Sequence, residues 1–538
     1  MSPRLALCAV FALHLAASGG CRTTTSSVKQ DDVVGSSDAW RRIQAERQAA
    51  REAFFAGQRA AHDAFLNTPM GYQGTPAIVI GLLADVMPDL WGADAVADGT
   101  GLTALVGDFP AALHHGPARS GPFTIVAFSC ATCHAGRVRV NGEEQVILGA
   151  PNTRIDTAGF RAKLWRTVND PRFNAAAFRD ALAKKRPGWL FGDAGLEREA
   201  KETSAFESAA GQVLEKIRAQ IDRSHTSIHK LLGSYTYRDD PALLDGGVPG
   251  SIDAFGFTVA SQLMPPDAAQ LAPDELERAQ RALLPTAPPM IDIMSIWRQD
   301  KRKRAQWDGS IQAKLIRNLG AELGVIGSPA LVNLDNVRLL TPFVAGMPAP
   351  VFPFEVDLAR AARGERIYGQ TCAPCHTRER VLGLDEIGTD PNRARSLTAR
   401  SREGLIAALK AACSDDALAD CRAPDEQIIE DRLENPGYVS LPHDGLWARA
   451  PYLHNGSVPT LYHLLVPDER PKTFKRGGSG YDREKVGFDW TREGVDFSTS
   501  RPGFANTGHA DKDIFFGGRD FAVDVEARDD LLEYLKTL

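Results

Sequence analysis

Apolar positions recur along this chain at the helical period over long stretches and at period two in only a few places. Across residues 37–67, Trp40, Ile43, Phe54 and Phe65 mark one side while Arg and Glu cover the rest. That spacing predicts one amphipathic helix, with Ser37 as N-cap and Pro69 helping to stop it. Residues 122–129 form an apolar, β-branched run that reads as a strand. Val138 and Val140, then Asn141-Gly142, then Val146 and Leu148 predict a tight hairpin, because Asn-Gly suits a two-residue turn. Residues 195–232 read as a charged helix and as a peripheral insertion. Four prolines in residues 341–354 (Pro342, Pro348, Pro350 and Pro353) read as a linker between domains. Asp357 then caps a helix that carries Leu358, Ala361 and Tyr368 on one face and runs to Cys372. Val525, Leu531, Leu532 and Leu535 give the chain a terminal amphipathic helix. The pattern is that of a mainly α protein, divided into an N-terminal domain over residues 37–345 and a C-terminal domain over residues 346–538.

The first residues change the picture. One early charge, Arg4, precedes an apolar run over residues 5–17 and then Ser18-Gly19-Gly20-Cys21. This is the pattern of a short secretory signal over residues 1–21, with a lipobox ending at Cys21. Residues 22–36 read as a flexible tether. No later apolar run is long enough to span a bilayer, so membrane association is expected through the lipid alone. The expected location is the periplasm or the outer membrane, with plain secretion as the other outcome. The formal charge of −6 over 538 residues is mild, and with no basic stripe the chain offers nucleic acid no surface.

Two strings carry the chemistry: Cys130-Ala131-Thr132-Cys133-His134 and Cys372-Ala373-Pro374-Cys375-His376. Each is C-x-x-C-H, the attachment pattern of a c-type haem, with His134 and His376 as the iron ligands. With 8 Cys and 12 His in 538 residues, two chance copies are negligible. Zinc would need ligands from elsewhere, because three in so tight a run do not make a tetrahedral site. The chain is therefore expected to hold two covalent haems in cytochrome c-type domains with irregular loops, plus a small β-hairpin in the N-terminal one. Haem attachment outside the cytoplasm agrees with export. Of the remaining cysteines, Cys413 and Cys421 are close in sequence and expected to pair in an oxidising space.

Function turns on the far side of each iron, where a second protein ligand makes an electron carrier and an open position admits an oxidant. No methionine follows Met347, so the second haem draws on His443, His454, His463 or His509. His509, in a glycine-preceded loop before the last helix, is favoured. For the first haem, His62, His114, His115, His225, His229 and several methionines have no diagnostic spacing, and a five-coordinate or water-bound iron is expected. A faint repeat follows the two haem motifs: Trp307-Asp308-Gly309-Ser310-Ile311 after the first, and His454-Asn455-Gly456-Ser457-Val458 after the second. Trp307 and His454, which head the two copies, are the candidate catalytic residues, Trp307 as a carrier of electrons between haems.

With these motifs, and Ala450-Pro451-Tyr452-Leu453-His454-Asn455-Gly456-Ser457, the chain resembles the bacterial di-haem cytochrome c peroxidase superfamily. Gly149-Ala150-Pro151-Asn152, Arg470-Pro471-Lys472-Thr473-Phe474, Lys485-Val486-Gly487-Phe488 and Gly508-His509 make it most similar to the rubber oxygenase-like branch. The resemblance implies a reactive N-terminal haem on His134 and a C-terminal electron-transfer haem held by His376 and His509. It also implies a tryptophan between the haems at Trp307. The chain departs from ordinary peroxidases in the wide separation of its haem motifs, in the missing methionine ligand and in the absence of a recognisable distal acid. The implied partners are a small oxidant (peroxide or dioxygen), a small redox protein or quinol-linked donor, and polyisoprene as a substrate. A calcium ion between the domains is compatible with the resemblance, and a non-enzymatic electron-transfer cytochrome is the alternative reading.

Overall fold

The computed structural model describes residues 36–92, 113–117, 121–232, 247–252, 271–283, 288–413, 421 and 423–538. The expected signal, lipobox and nearly all of the tether lie outside these residues. Helices predominate, joined by irregular segments, and the strands form small sheets of two or three members. Among the described residues no helix is long and apolar enough to cross a membrane.

The first apolar stretch makes two helices rather than one, Ser36–Gly57 and Arg59–Asn67, broken at Gln58 (φ −123°). Gly57 supplies the weak point, since glycine inside a helix is destabilising. The second helix ends at Asn67 with Thr68 extended, as the residue before Pro69 requires. The hairpin forms as the sequence indicates. Ala135–Val140 pairs with Glu143–Leu148, and Val140 faces Glu143 across Asn141 (φ 53°) and Gly142 (φ 91°). Two successive positive φ values are the signature of the turn that Asn-Gly favours.

The helix Leu196–Leu232, bent at Ala209, is not peripheral. Its Phe206, Ala210 and Leu214 are buried against Ile78, Leu82, Phe160 and Phe178 in a core of their own. A charged helix can still present one apolar stripe, and that stripe decides its place. The proline-rich segment also departs from a linker. Helix Leu334–Gly346 runs straight through Pro342, with Leu340, Phe343 and Val344 buried. Proline costs about 3 kcal/mol within a helix, and burial of three such side chains, at about 1.5–3 kcal/mol each, exceeds it.

Met347, Phe352 and Phe354 continue into a core that holds Trp40 and Phe65 from the first helices and Ala131 and Val138 beside the first haem motif. The same core holds Tyr368, Trp447, Leu531 and Leu535. One core thus runs through both sides of residue 346. It is fastened by Trp40 Nε1 donating to the Phe354 carbonyl (2.8 Å) and Arg47 donating to that of Thr537 (2.6 Å). Asp357 caps helix Leu358–Thr371 by accepting from Ala359 N and Arg360 N. That helix packs on the terminal helix Val525–Lys536, and Gly364 permits the approach: a Cβ there would lie 2.0 Å from the Asp530 carbonyl oxygen. Cys413 and Cys421 are disulfide-bonded and buried in a third core with Leu315, Leu319 and Leu323.

Candidate functional site

The first C-x-x-C-H string is one helical turn, Cys130–His134, set between the strands Thr124–Phe128 and Ala135–Val140. Residues three apart share a side of a helix, so both thiols face the same way and His134 follows. The turn is braced from outside through its carbonyls. Asn152 N donates to Cys133 (2.9 Å), Asn152 Nδ2 to Thr132 (2.8 Å) and Gly149 N to His134 (2.7 Å). Gly149 (φ 83°) has no room for a side chain, since a Cβ would lie 2.7 Å from Met347 Sδ. Cys130 and Cys133 retain accessible surface, yet their dense surroundings push the thiols up to about 12 and about 11. Burial likewise pushes His134 down to about 4. The Met294 backbone lies beside this ring, but no hydrogen bond forms at Nδ1.

The second string is also a helical turn, with His376 N donating to the Cys372 carbonyl at 3.1 Å. Here His376 Nδ1 is bound to the Leu441 carbonyl at 2.8 Å. A carbonyl acceptor places the ring proton on Nδ1 and leaves Nε2 unprotonated and free to coordinate a metal, the usual arrangement for a ligating histidine. Paired thiols on one turn, followed by a partly accessible imidazole, fit covalent haem c at both motifs.

Further imidazoles surround His376. The ring of His443 lies 3.7 Å from it, centroid to centroid, and His509 is within its electrostatic reach. His443 belongs to the same stretch as Leu441, which holds the Nδ1 side of His376. His509 arrives from a separate loop, with φ at 57°, its ring stacked on Phe515 (4.2 Å) and its Nδ1 unpartnered. Such a backbone conformation in a residue other than glycine is strained and often marks a functional position. Arg470 fixes this loop, donating to the carbonyls of Asn506 (2.6 Å), Gly508 (2.7 Å) and His509 (3.3 Å) while its Nε holds that of His463 (2.9 Å).

Around His134 the charged groups that act are Arg317 and Arg302. His62 stacks on Phe55 and His225 on Trp165. The side chains of His114, His115 and His229 lie outside the described residues.

Trp307 joins the two halves. Its Nε1 donates to the Asp292 carbonyl (3.0 Å), two residues before Met294, and its own carbonyl accepts from Val439 N (2.9 Å), two residues before Leu441. The repeat is a structural one. Ala305 bridges Ile311 as Tyr452 bridges Val458, Gln306 (φ 65°) matches Leu453 (φ 66°), and Gly309 (φ 66°) matches Gly456 (φ 62°). His454, at the place of Trp307, is buried, stacked on Tyr438 (4.2 Å), with Nε2 at 3.1 Å from the tyrosine hydroxyl.

Residues 437–475 match the RoxA-like, cytochrome c-like family model. This stretch contains Leu441, which holds His376, and Arg470, which holds the His509 loop, and a cytochrome c-like domain implies covalently bound haem c. The chain is also 39% identical over 287 residues to an uncharacterized Sinorhizobium fredii protein, y4iM, spanning 47% of this chain and 66% of that one. A second uncharacterized protein of the same organism, y4iJ, is 26% identical over 503 residues, spanning 78% of each chain.

Sequence reasoning missed Trp297, fully buried, whose Nε1 donates to the Asp444 carbonyl (2.7 Å). It missed the clasp role of Arg470, and also Glu322, a buried carboxyl whose field reaches Cys130. Long-range contacts place all three, and no local spacing announces them. Among the described residues no group of three or more His, Cys, Asp and Glu side chains is arranged to hold a metal ion such as calcium.

Proposed function

We propose that this protein is an exported di-haem c-type cytochrome with oxidoreductase activity, related to the di-haem peroxidase superfamily through its rubber oxygenase-like branch. His134 holds a reactive haem and His376 with His509 holds an electron-transfer haem. The observation that carries this reading is the asymmetry between the two motifs. His376 Nδ1 is held by the Leu441 carbonyl at 2.8 Å with His443 and His509 close by, while among the described residues no imidazole acts on His134, whose Nδ1 has no hydrogen-bond partner.

When bound, a haem with an open position supplies dioxygen or peroxide chemistry, and one with two histidine ligands supplies electron storage and transfer. The chain's own part is orientation. Leu441 sets the tautomer of His376, Arg470 sets the His509 loop, and Asn152 and Gly149 fix the turn that carries His134. Trp307 gives a covalent and hydrogen-bonded path between the two sites, from the Asp292 carbonyl to the Val439 amide. His454 supports this path through Asp292, whose amide donates to the His454 carbonyl (2.7 Å). A small redox protein or quinol-linked donor is the proposed electron source, and anchoring through Cys21 the proposed location.

The test is the ferric spectrum of the purified mature protein. Two haems per chain are expected, one with a high-spin band that responds to cyanide or peroxide and one low-spin and inert. Two inert low-spin haems would refute the enzyme reading in favour of a pure electron carrier. Oxygen uptake with polyisoprene latex, set against peroxide consumption with a reduced small cytochrome, decides the reaction.

A further inference from the structure

Strand Thr473–Gly477 turns Phe474 and Arg476 to one face, and both are buried. Phe474 joins a small core with Val248, Met290, Phe497 and Phe504. An arginine on such a face is destabilising unless its charge is paired and its N–H groups are bonded. Arg476 meets both conditions. Its side chain is fully buried, its guanidinium lies over the Phe497 ring at 5.3 Å, and Nη2 is ion-paired with the buried Asp292 carboxylate. Nε donates to the Pro249 carbonyl (2.7 Å), and Nη1 donates to those of Gly456 (3.1 Å) and Asn455 (3.4 Å).

These partners belong to both turns of the repeat. Asn455 and Gly456 follow His454 in the second turn. Asp292 lies against the heads of both turns: its carbonyl accepts from Trp307 Nε1 (3.0 Å), and its amide donates to the His454 carbonyl (2.7 Å). Gly456 (φ 62°) leaves room for the ion pair, because a Cβ there would meet Arg476 Nη1 and lie 2.9 Å from Asp292 Oδ1. One planar fork thus holds the carboxylate of the residue that supports Trp307 and two carbonyls of the other turn. A lysine ammonium, a single point charge, does not reproduce that pattern.

We propose that Arg476 is a positioning residue for Trp307. By clamping Asp292 to the backbone of residues 455–456, it fixes the carbonyl that the indole N–H bonds to, and with it the place of the ring between the two haem motifs. It acts through Asp292 and does not touch the indole in any described bond. Its functional consequence rests on the reading of Trp307 as the carrier of electrons between two haems.

The test uses the full mature holoprotein with Arg476→Gln, Arg476→Lys and Asp292→Asn. Phe474→Leu is the control, since it loosens the same core and leaves the clamp intact. Two readouts are taken. One is the indole N–H band of Trp307 in ultraviolet resonance Raman spectra, isolated by subtracting the spectrum of Trp307→Phe. The other is the rate of electron equilibration between the haems after flash reduction. Arg476→Gln is expected to move the band towards a weaker hydrogen bond and to slow equilibration about tenfold, or about 1.4 kcal/mol, with the ligand bands of both haems as in wild type. Arg476→Lys is expected to fall between. Asp292→Asn is expected to move the band too, and to add less in the Arg476→Gln background than alone, because the two side chains act as one unit. Phe474→Leu is expected to lower stability and change neither readout. An unmoved band in Arg476→Gln overturns the proposal. So does a band moved equally by Phe474→Leu, which would show ordinary loss of packing. A moved band with unchanged equilibration keeps the clamp and refutes Trp307 as the carrier. Protein without two haems refutes that carrier reading as well, and the band still decides the clamp. If Arg476→Gln fails to accumulate, Arg476→Lys and Asp292→Asn decide by the same band.

Discussion

Arg470 offers the sharpest test of how the second site is assembled. Its guanidinium makes two short bonds to the His509 loop, to the Asn506 carbonyl at 2.6 Å and the Gly508 carbonyl at 2.7 Å, plus a longer one to His509 itself. Hydrogen bonds to a charged group contribute about 1.5–3 kcal/mol each. Counting only the two short ones, Arg470→Ala removes about 3–6 kcal/mol from docking of the loop. At about 1.4 kcal/mol per factor of ten, the docked form loses a factor of roughly 100 or more. Strain at His509 (φ 57°) adds to the tendency to leave. If His509 is the ligand opposite His376, the variant holoprotein loses much of the low-spin signal of its second haem by electron paramagnetic resonance. Exogenous imidazole restores it, and the haem on His134 is unaffected. Arg470→Lys, which keeps the charge but not the fork, falls between. A second haem that stays wholly low-spin with unchanged g values in Arg470→Ala refutes the argument. His443 or another side chain would then hold that position.

Other perturbations probe separate parts of the structure. Burial raises Glu322 to about 7 against the opposing pull of its bonds from the Asn333 and Gly71 amides. Its folded form binds the proton more tightly than the unfolded chain, so its contribution to stability is present below about pH 4.5 and is lost as pH rises to about 7. At about 1.4 kcal/mol per unit the loss is about 3 kcal/mol, and denaturant titrations should find Glu322→Gln more stable than wild type above pH 7 and little different below pH 4.5. Trp307→Phe keeps an aromatic ring but loses the bond to Asp292; electron equilibration between the haems after flash reduction is expected to slow at least tenfold, with ligand spectra unchanged. Asp308 and Arg393 form a buried ion pair at 3.0 Å. Asp308→Asn removes the carboxylate charge from this buried pair, with an expected loss of about 3–5 kcal/mol in unfolding free energy.

Local chemistry made much of the fold legible. Asn141-Gly142 fixed a two-residue turn, Asp357 capped its helix, and Cys413 found Cys421, because each effect acts within a few residues. Errors arose where distant partners outweighed local preference. Pro342 lies inside a helix because Leu340, Phe343 and Val344 are buried beside it. The charged helix Leu196–Leu232 is held by one apolar stripe. At the site the contrast is similar. The cysteines and histidines of both motifs stand out by spacing alone. Leu441 acts through its carbonyl and Arg470 through bonds to a loop more than thirty residues on, and neither has a local pattern.

The two copies of the repeat show how one turn can serve both sites. Each turn has a positive-φ residue before its first position and a glycine two places after it, and each is closed by a bridge. The second residue differs. In the first copy it is Asp308, which reaches Arg393 in the segment beneath Tyr438; in the second it is Asn455, whose Nδ2 donates to the carbonyls of Gly503 and Ala505 (3.1 Å each). Gly503 and Ala505 open the loop that carries His509, and Tyr438 lies two residues before Ser440, the neighbour of Leu441. Both turns therefore brace segments that lead to Leu441 and to His509, one by charge and one by an amide. The first residue completes the division: His454 is locked to Tyr438, whereas Trp307 bonds to backbone on either side and keeps an aromatic ring between the motifs. The duplicated turn thus has one copy whose first side chain is fixed against a tyrosine and one whose first residue ties two backbone segments together.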